Sequence, residues 1–551
     1  MITGLMFRDG IISAANNIAN SRQAVDALNI FPVPDGDTGT NMSMTIANAS
    51  KEVSGMADNS SLSDVANQAA SALLRGARGN SGVILSLIFR GISKAFKGLD
   101  EANGADCAKA FRYGCDSAYK AVMKPTEGTI LTVIRKAAEA AEQMADIQDD
   151  PIEVCFAALQ ASREALAKTP EQLPVLKKAG VVDAGGRGLV LIFEGISSVF
   201  GNNAIVQPLG EEVKPVEIGK ATVANADDEI EFGYCSEFLI EKDKNAKEKD
   251  PLRLRAYLES IGDCVVVVDD SDIIKVHVHS NTPGDVINHA IKYGPLINIK
   301  IDNMRYQHRN ADVGVKEGET PVQPVSAQPE NKYGFVCVCA GEGLEELFRD
   351  LGADVVVSGG QTMNPSTDDI LNAINQTPAK TVFVLPNNKN IIMAAEQAIA
   401  LANDREVRVL QTKTIPQGVS AMLSFDESED AETNQMTMME MAEAVETGLV
   451  TFAARDSEVD GKSIMQGQIM GMTNGKIKFI GDDKNDIAFK TTDKLFKRGT
   501  HSLVTLIYGE GITEEDAAEL EARLAEKYGN DMEISIVNGG QPIYYYIISV
   551  E

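Results

Sequence analysis

Asn29-Ile-Phe-Pro-Val-Pro-Asp-Gly-Asp-Thr-Gly-Thr-Asn-Met42 gathers two carboxylates and several neutral oxygen donors into one turn-rich loop. Gly36 separates Asp35 from Asp37 and lets the backbone turn sharply, so both carboxylates can converge on a hard cation. Asn29, Thr38, Thr40 and Asn41 add neutral oxygens beside them. Magnesium held in this way keeps few protein ligands and bridges to substrate phosphates. The competing reading is an Asx-rich surface turn between two helices, because Pro, Asp, Gly and Asn are ordinary loop residues.

Working outward, Ile11, Ala14, Ile18, Val25 and Leu28 recur at helical spacing, and the same period returns through 63–74, 83–97, 105–122, 129–145 and 152–168. β-branched runs are scarce over this length. Residues 1–200 are therefore expected to form an all-α helical bundle or barrel, with the loop of Asp35 and Asp37 at one end. A second loop, Arg75-Gly-Ala-Arg-Gly-Asn-Ser-Gly82, supplies Gly76, Gly79 and Gly82 for close backbone approach. Asn80 or Ser81 is expected to cap the helix carrying Ile84, Leu87, Ile88 and Ile92, aiming free N–H groups and a partial positive charge at an anion. No Gly-x-x-x-x-Gly-Lys-Ser/Thr loop occurs in the chain. Alone, the glycine loop reads as a helix–helix turn; beside Asp35 and Asp37 it reads as a phosphate cradle.

The two loops together resemble the nucleotide-binding L subunit of dihydroxyacetone kinase, in the longer form found in the ATP-binding subunit of bacterial fatty acid kinase. Pro125-Thr-Glu-Gly-Thr129 and Val182-Asp-Ala-Gly-Gly-Arg-Gly188 continue that resemblance in the same order. It implies that Asn29, Asp35 and Asp37 bind Mg²⁺, two ions in all, with Asn29 standing where shorter relatives carry a third aspartate. It further implies an ATP site formed by Thr38, Thr40, Asn41, Gly79, Asn80, Ser81, Gly82, Thr129, Asp183, Gly185 and Arg187. For Asp183 a helix cap following Val181-Val182 is the alternative.

Beyond the bundle, 201–228 turns to Pro, Gly and acidic residues and is expected to be a linker or an extended crossing segment. A middle α/β domain is expected over 229–310, with strands at Cys264-Val-Val-Val-Val268 and Ile273-Ile-Lys-Val-His-Val-His279. His277 and His279 stand two apart on a strand and share a face. With Cys235 they can make a Cys-His-His zinc set with one open position; an exposed polar strand face and an ordinary buried cysteine is the alternative. A flexible linker over 311–331 precedes a two-lobed α/β domain over 332–551, in which strands at 333–339, 354–358, 381–385 and 406–410 alternate with helices and predict a parallel sheet. That last part resembles the fold of the fatty-acid-binding carriers with which such kinases work. Ser358-Gly-Gly-Gln-Thr-Met-Asn-Pro-Ser366 lies at a strand end, as binding loops do, or simply leads into a helix capped by Ser366 or Thr367. The acidic, Met-rich run 426–446 is read as a solvated helix, with docking through Met439 and Met441 as the alternative.

Composition narrows the function. The 551 residues carry a formal charge of -29, which repels nucleic acid and anionic lipid. No run of about eighteen apolar residues occurs and the first residues lack an export signal, so the cytoplasm is the expected compartment, without membrane insertion. Seven scattered cysteines do not make a disulfide framework. All five histidines, at 277, 279, 289, 308 and 501, lie outside the helical part, which therefore has no imidazole base. An alcohol acceptor wants a proton removed during phosphoryl transfer, whereas a carboxylate acceptor is already ionised. The resemblance thus implies the ATP-dependent catalytic component of a fatty acid kinase, which forms a homodimer and works with a fatty-acid-binding carrier protein. A dihydroxyacetone-type small-molecule kinase and a non-catalytic nucleotide-sensing scaffold are the rivals.

Overall fold

The computed structural model describes residues 1–29, 36–122, 124–202, 204–208, 234–242, 250–269, 273–303, 327–360, 363–459 and 462–551. The chain divides into two compact units, Met1–Glu212 together with Pro324–Glu551, and Val213–Gln323.

In the first unit the helical period of the sequence becomes α1 (Gly4–Asn20), the short α2 (Arg22–Asp26), α3 (Thr38–Ser54), α4 (Leu62–Arg75), α5 (Gly79–Ala95), α6 (Gly104–Ala121), α7 (Ile130–Ala145), α8 (Pro151–Ala167), two short turns α9 (Thr169–Gln172) and α10 (Pro174–Ala179), and α11 (Ala184–Asn202). Local polar residues set the starts. The side chains of Thr3, Ser61, Thr129 and Asp150 accept backbone N–H bonds at the heads of α1, α4, α7 and α8. Asn103 and Asp106 form a reciprocal capping box at the head of α6.

The long helices alternate in direction. Asn48 and Glu52 on α3 meet Ala72 and Gln68 on α4, Arg112 and Tyr119 on α6 meet Glu142 and Arg135 on α7, and Asn17 on α1 bonds Leu191 on α11. The connections after α1, α4, α6 and α8 consequently open at one end, which collects the four loops singled out in the sequence. Ile11, Ile18, Ile46, Leu73, Ile88, Ile134 and Leu189 fill the interior. At the far end β1 (Ile2–Thr3) pairs with β2 (Glu101–Ala102). The described residues at the start of 201–228 cross α1, where the Val206 and Gln207 carbonyls accept from Asn16 and Asn20. The remainder of 201–228 and most of 311–331 lie outside the described residues.

The second unit holds a four-stranded antiparallel sheet, order β4-β5-β3-β6, from β3 (Tyr234–Glu241), β4 (Gly262–Asp269), β5 (Ile273–Ser280) and β6 (Leu296–Asn303). Phe238, Ile240, Ile274, Val276 and Val278 form its core with Leu254 and Leu258 of the helix Pro251–Ile261.

The terminal region of the first unit has the expected parallel sheet, order β10-β9-β7-β8, from β7 (Asn331–Cys339), β8 (Val355–Ser358), β9 (Ala379–Leu385) and β10 (Glu406–Val409). A second, mixed sheet runs β15-β14-β11-β18-β16-β17. Its strands are β11 (Glu446–Phe452), β14 (Ile469–Thr473), β15 (Lys476–Gly481), β16 (Leu503–Tyr508), β17 (Glu533–Asn538) and β18 (Tyr544–Val550), with β12 (Ser457–Val459) and β13 (Lys462–Ile464) as a separate ribbon. The Met-rich run is the helix Ala431–Ala444, in which Met438 is fully buried and Met436 and Met441 are exposed. Ala77, Val83 and Leu87 of the bundle join Val336, Ile370 and Ile391 in one core, so α5 is packed directly on the terminal region.

Candidate nucleotide and phosphoryl-transfer site

Asp26, at the end of α2, organises the first loop. Its carboxylate accepts from the backbone N–H of Thr40 at 3.1 Å and from the Thr40 hydroxyl at 2.8 Å, anchoring the head of α3. Asn29 Oδ1 accepts from the Thr38 hydroxyl at 2.9 Å, and a Cβ on Gly36 would sit 3.0 Å from Asn29 Cβ, so the turn folds back on itself. Asp37 occupies the N-cap position of α3 without capping it. Its carboxylate instead accepts from Asn364 Nδ2 at 2.5 Å. Asp35 lies outside the described residues.

The glycine loop closes onto the same place. Gly79 has φ +57, and a Cβ there would lie 2.5 Å from Asn41 Nδ2 and 3.4 Å from Asn364 Nδ2. A Cβ on Gly82 would lie 2.4 Å from Thr45 Oγ1, which accepts from Arg78 N–H and donates to the Asn41 carbonyl. Asn41, Gly79 and Gly82 are thus brought together beside Asp37. The expectation that Asn80 or Ser81 caps α5 is corrected: the left-handed turn at Gly79 starts the helix there, both residues fall in its first turn, and no side chain caps it. That leaves the positive end of a 17-residue helix uncovered by side-chain caps, the arrangement that favours an anion. The Asn80 amide oxygen is buried without a hydrogen-bond partner among the described residues.

The third and fourth motifs border the same end. Thr129 caps α7, while Glu127 accepts from Tyr119, Thr132 and Arg135. Burial would raise the Glu127 carboxyl, but those bonds prevail and hold it at about 2. Gly185 packs on Ile130, and Gly188 on Met42, where a Cβ would fall 2.5 Å from the sulfur. Asp183 accepts from Gly186 N–H at 2.7 Å and so caps α11. Arg187 stands in the first turn of that helix.

Burial pushes the Asp183 carboxyl up to about 6, despite bonds from the Gly186 and Ile130 N–H groups. A proton held more tightly in the folded than in the unfolded chain stabilises the fold below pH about 4, and that contribution is lost as pH rises towards 6. Asp183→Asn should flatten this part of the stability profile. In thermal melts across that window the wild type is expected to lose a few degrees that the variant keeps, at about 2–4 °C per kcal/mol for a domain of this size. Superimposable profiles would contradict the assignment.

In the second unit the register aligns Asp263, His279, Cys235 and Asp302 in one row across β4, β5, β3 and β6, and sets His277 opposite Glu237. The side chains of Cys235, His277 and His279 lie outside the described residues, and among the described residues no cluster of three or more His, Cys, Asp or Glu has metal-binding geometry. Asp26, Thr45, Arg78 and Asn364 are absent from the site drawn from the sequence. Asp26 sits a helical turn before a loop whose own residues carried all the signal, and Asn364 is more than 300 positions from the carboxylate it binds.

A helical bundle with four loops gathered at one end is thus joined, within one compact unit, to α/β lobes. Residues 32–198 match the DAK2 domain, 231–311 the FakA-like middle domain of fatty acid kinases, and 334–551 the FakA-like C-terminal domain. The chain is 43% identical to Protein YloV of Bacillus subtilis (strain 168), covering 100% of this chain and 99% of that one. It belongs to the FakA-like family of fatty acid kinase proteins. Among solved structures, the native dihydroxyacetone kinase of C. freundii aligns at 15% identity and a TM-score of 0.30, over 40% of this chain and 48% of that one. A DegV family protein from Thermus thermophilus, titled for its fatty acid binding, aligns at 14% identity and a TM-score of 0.29, over 40% of this chain and 99% of that one. Among the described residues no helix is long and apolar enough to cross a membrane.

Proposed function

We propose that the chain is the ATP-binding component of a cytoplasmic fatty acid kinase, which phosphorylates a fatty acid carboxylate presented by a separate fatty-acid-binding carrier to give an acyl phosphate and ADP. The observation that carries this reading is the convergence of Asp37, Asn41 and the uncapped head of α5 at one end of the bundle. The N–H groups of Gly79, Asn80 and Ser81 bind phosphate oxygens, Gly82, whose own N–H donates to the Arg78 carbonyl, allows their close approach, and Asn41 orients them. Thr129, Asp183, Gly185 and Arg187 border the nucleotide.

The oxygen-only donor set, with a carboxylate beside a buried amide oxygen, fits Mg²⁺. Asp35, Asp37 and Asn29 would hold the two ions, which supply charge neutralisation on the triphosphate. An acceptor carboxylate needs no base, in keeping with the absence of histidine from residues 1–200. Delegating the lipid to a carrier, docked through the terminal region of a homodimer, leaves the bundle responsible for the nucleotide alone.

The test is incubation of the full chain with ATP, Mg²⁺, oleate and a candidate carrier, followed by hydroxylamine. Fatty hydroxamate should form in step with ADP and only when carrier is present. ADP release driven by dihydroxyacetone, without hydroxamate, would favour the small-molecule kinase instead.

A further inference from the structure

We propose that the phosphoryl-transfer site is completed by the terminal region, with Asn364 as a positioning residue for Asp37. The inference rests on the reading of Asp37 as a magnesium ligand. Asn364 lies between β8 and the helix Thr367–Gln376, is 2% exposed, and donates from Nδ2 to Asp37 Oδ2 at 2.5 Å. Its amide oxygen is buried and has no partner among the described residues, as is true of Asn80 Oδ1 and Thr367 Oγ1. Buried acceptors of this kind are few in folded proteins, and each leaves a desolvation cost unanswered until a cation or water meets it. Two of the three, Asn80 Oδ1 and Asn364 Oδ1, are amide oxygens, a donor type that hard cations accept.

The loop is not a passing neighbour. Thr367 N–H donates to the Ala77 carbonyl at 3.1 Å, the Arg78 guanidinium donates to the Asn364 carbonyl at 2.8 Å, and the same guanidinium pairs with Asp369 at 3.3 Å. The shared core of Ala77, Val83 and Leu87 with Ile370 and Ile391 lies directly beneath. A capping box from Ser366 to Asp369 fixes the helix that follows Asn364, so the amide is presented on a rigid support. Metal-ligating carboxylates are themselves held by hydrogen bonds, and loss of such a partner costs about 10–100-fold in metal affinity or activity. Asn364 has that relation to Asp37, across more than 300 residues of sequence.

The experiment is a Mg²⁺ titration of the binding of a fluorescent, non-hydrolysable ATP analogue to the full chain. Asn364→Ala is expected to raise the Mg²⁺ midpoint about 10-fold or more. Asn364→Gln, which keeps the amide but displaces it by one methylene, should shift it in the same direction by less, and serves if the alanine variant does not fold. Asp368→Asn cuts the Arg75 ion pair between the same two regions without removing an amide or a member of the capping box, and should leave the midpoint within about two-fold of wild type; this window follows from confining the 10–100-fold effect to the carboxylate's own partner. A shift in Asn364→Ala no larger than in Asp368→Asn overturns the inference, because docking of the loop would then explain it. Unchanged binding by Asn364→Ala beside impaired binding by Asp37→Ala overturns the inference alone. Unchanged Mg²⁺ dependence in Asp37→Ala overturns the magnesium reading with it.

Discussion

Asp37→Ala is expected to lower carrier-dependent ATP turnover by a factor on the order of 10²–10³ or more, the scale seen when a preorganised group that stabilises transition-state charge is removed. The fold should be retained. Asp37 makes no side-chain cap to α3, whose head is held by Asp26 through Thr40, so truncation of the proposed ligand should leave that anchor of the helix in place. The measurement pairs ADP release with a thermal melt of the same sample. Turnover within about ten-fold of wild type, below the loss expected for such a group, would contradict the assignment. Asp37→Asn keeps the shape and loses the charge, and should fall nearly as far, since the hard cation loses its anionic oxygen.

The largest structural effect is expected from Gly91→Ala. A Cβ at Gly91 would lie 2.1 Å from the Tyr113 carbonyl oxygen and 2.5 Å from Gly114 N, all backbone atoms of α6 that cannot swing aside. Gly114 in turn faces Ile88 of α5, with a Cβ only 3.0 Å from its carbonyl oxygen, so the two helices touch along a seam of missing side chains. Forcing a methyl group between them requires the helices to part. Overpacking of this kind costs about 1–3 kcal/mol or more, and about 2–4 °C in Tm for each kcal/mol in a domain of this size. Because α5 begins with the glycine loop, its displacement should also weaken nucleotide binding. A variant with unchanged Tm would show that the seam is looser than drawn.

Much of the architecture is legible in the sequence because helices such as α1 bury one face, which imposes the 3.6-residue period on Ile11, Ala14 and Ile18, whereas α5 and α11 are buried on most sides and read as nearly continuous apolar runs. The parallel sheet is legible for a related reason: β7 and β9 are buried on both faces and read as continuous apolar runs. The strands β11, β14 and β15 carry no comparable signal. Gly448 and Gly471 interrupt them where Thr491 of the helix Lys484–Leu495 packs close, and β15 alternates weakly as Lys-Ile-Lys-Phe at an edge.

The candidate site divides along the same line. Asp37, Asn41 and the glycines are readable because their chemistry is concentrated in two short loops. Asp26, Thr45 and Asn364 act through tertiary contacts, and their residue types are unremarkable at the positions they occupy. Asn364 has only one local sign, its place in an Asn-Pro-Ser step at the end of a parallel strand, where binding loops and helix starts look alike. Ser366 does cap the following helix, and Asn364 hydrogen-bonds the Asp37 carboxylate from the same loop.

Whether the Asp37 end of the bundle gathers magnesium around a triphosphate is decided by a crystal structure of the full chain with Mg²⁺ and a non-hydrolysable ATP analogue. A cation is expected about 2.0–2.1 Å from an Asp37 carboxylate oxygen, with phosphate oxygens against the N–H groups of residues 79–81. A nucleotide bound elsewhere, with no cation at the Asp37 carboxylate, would contradict that assignment.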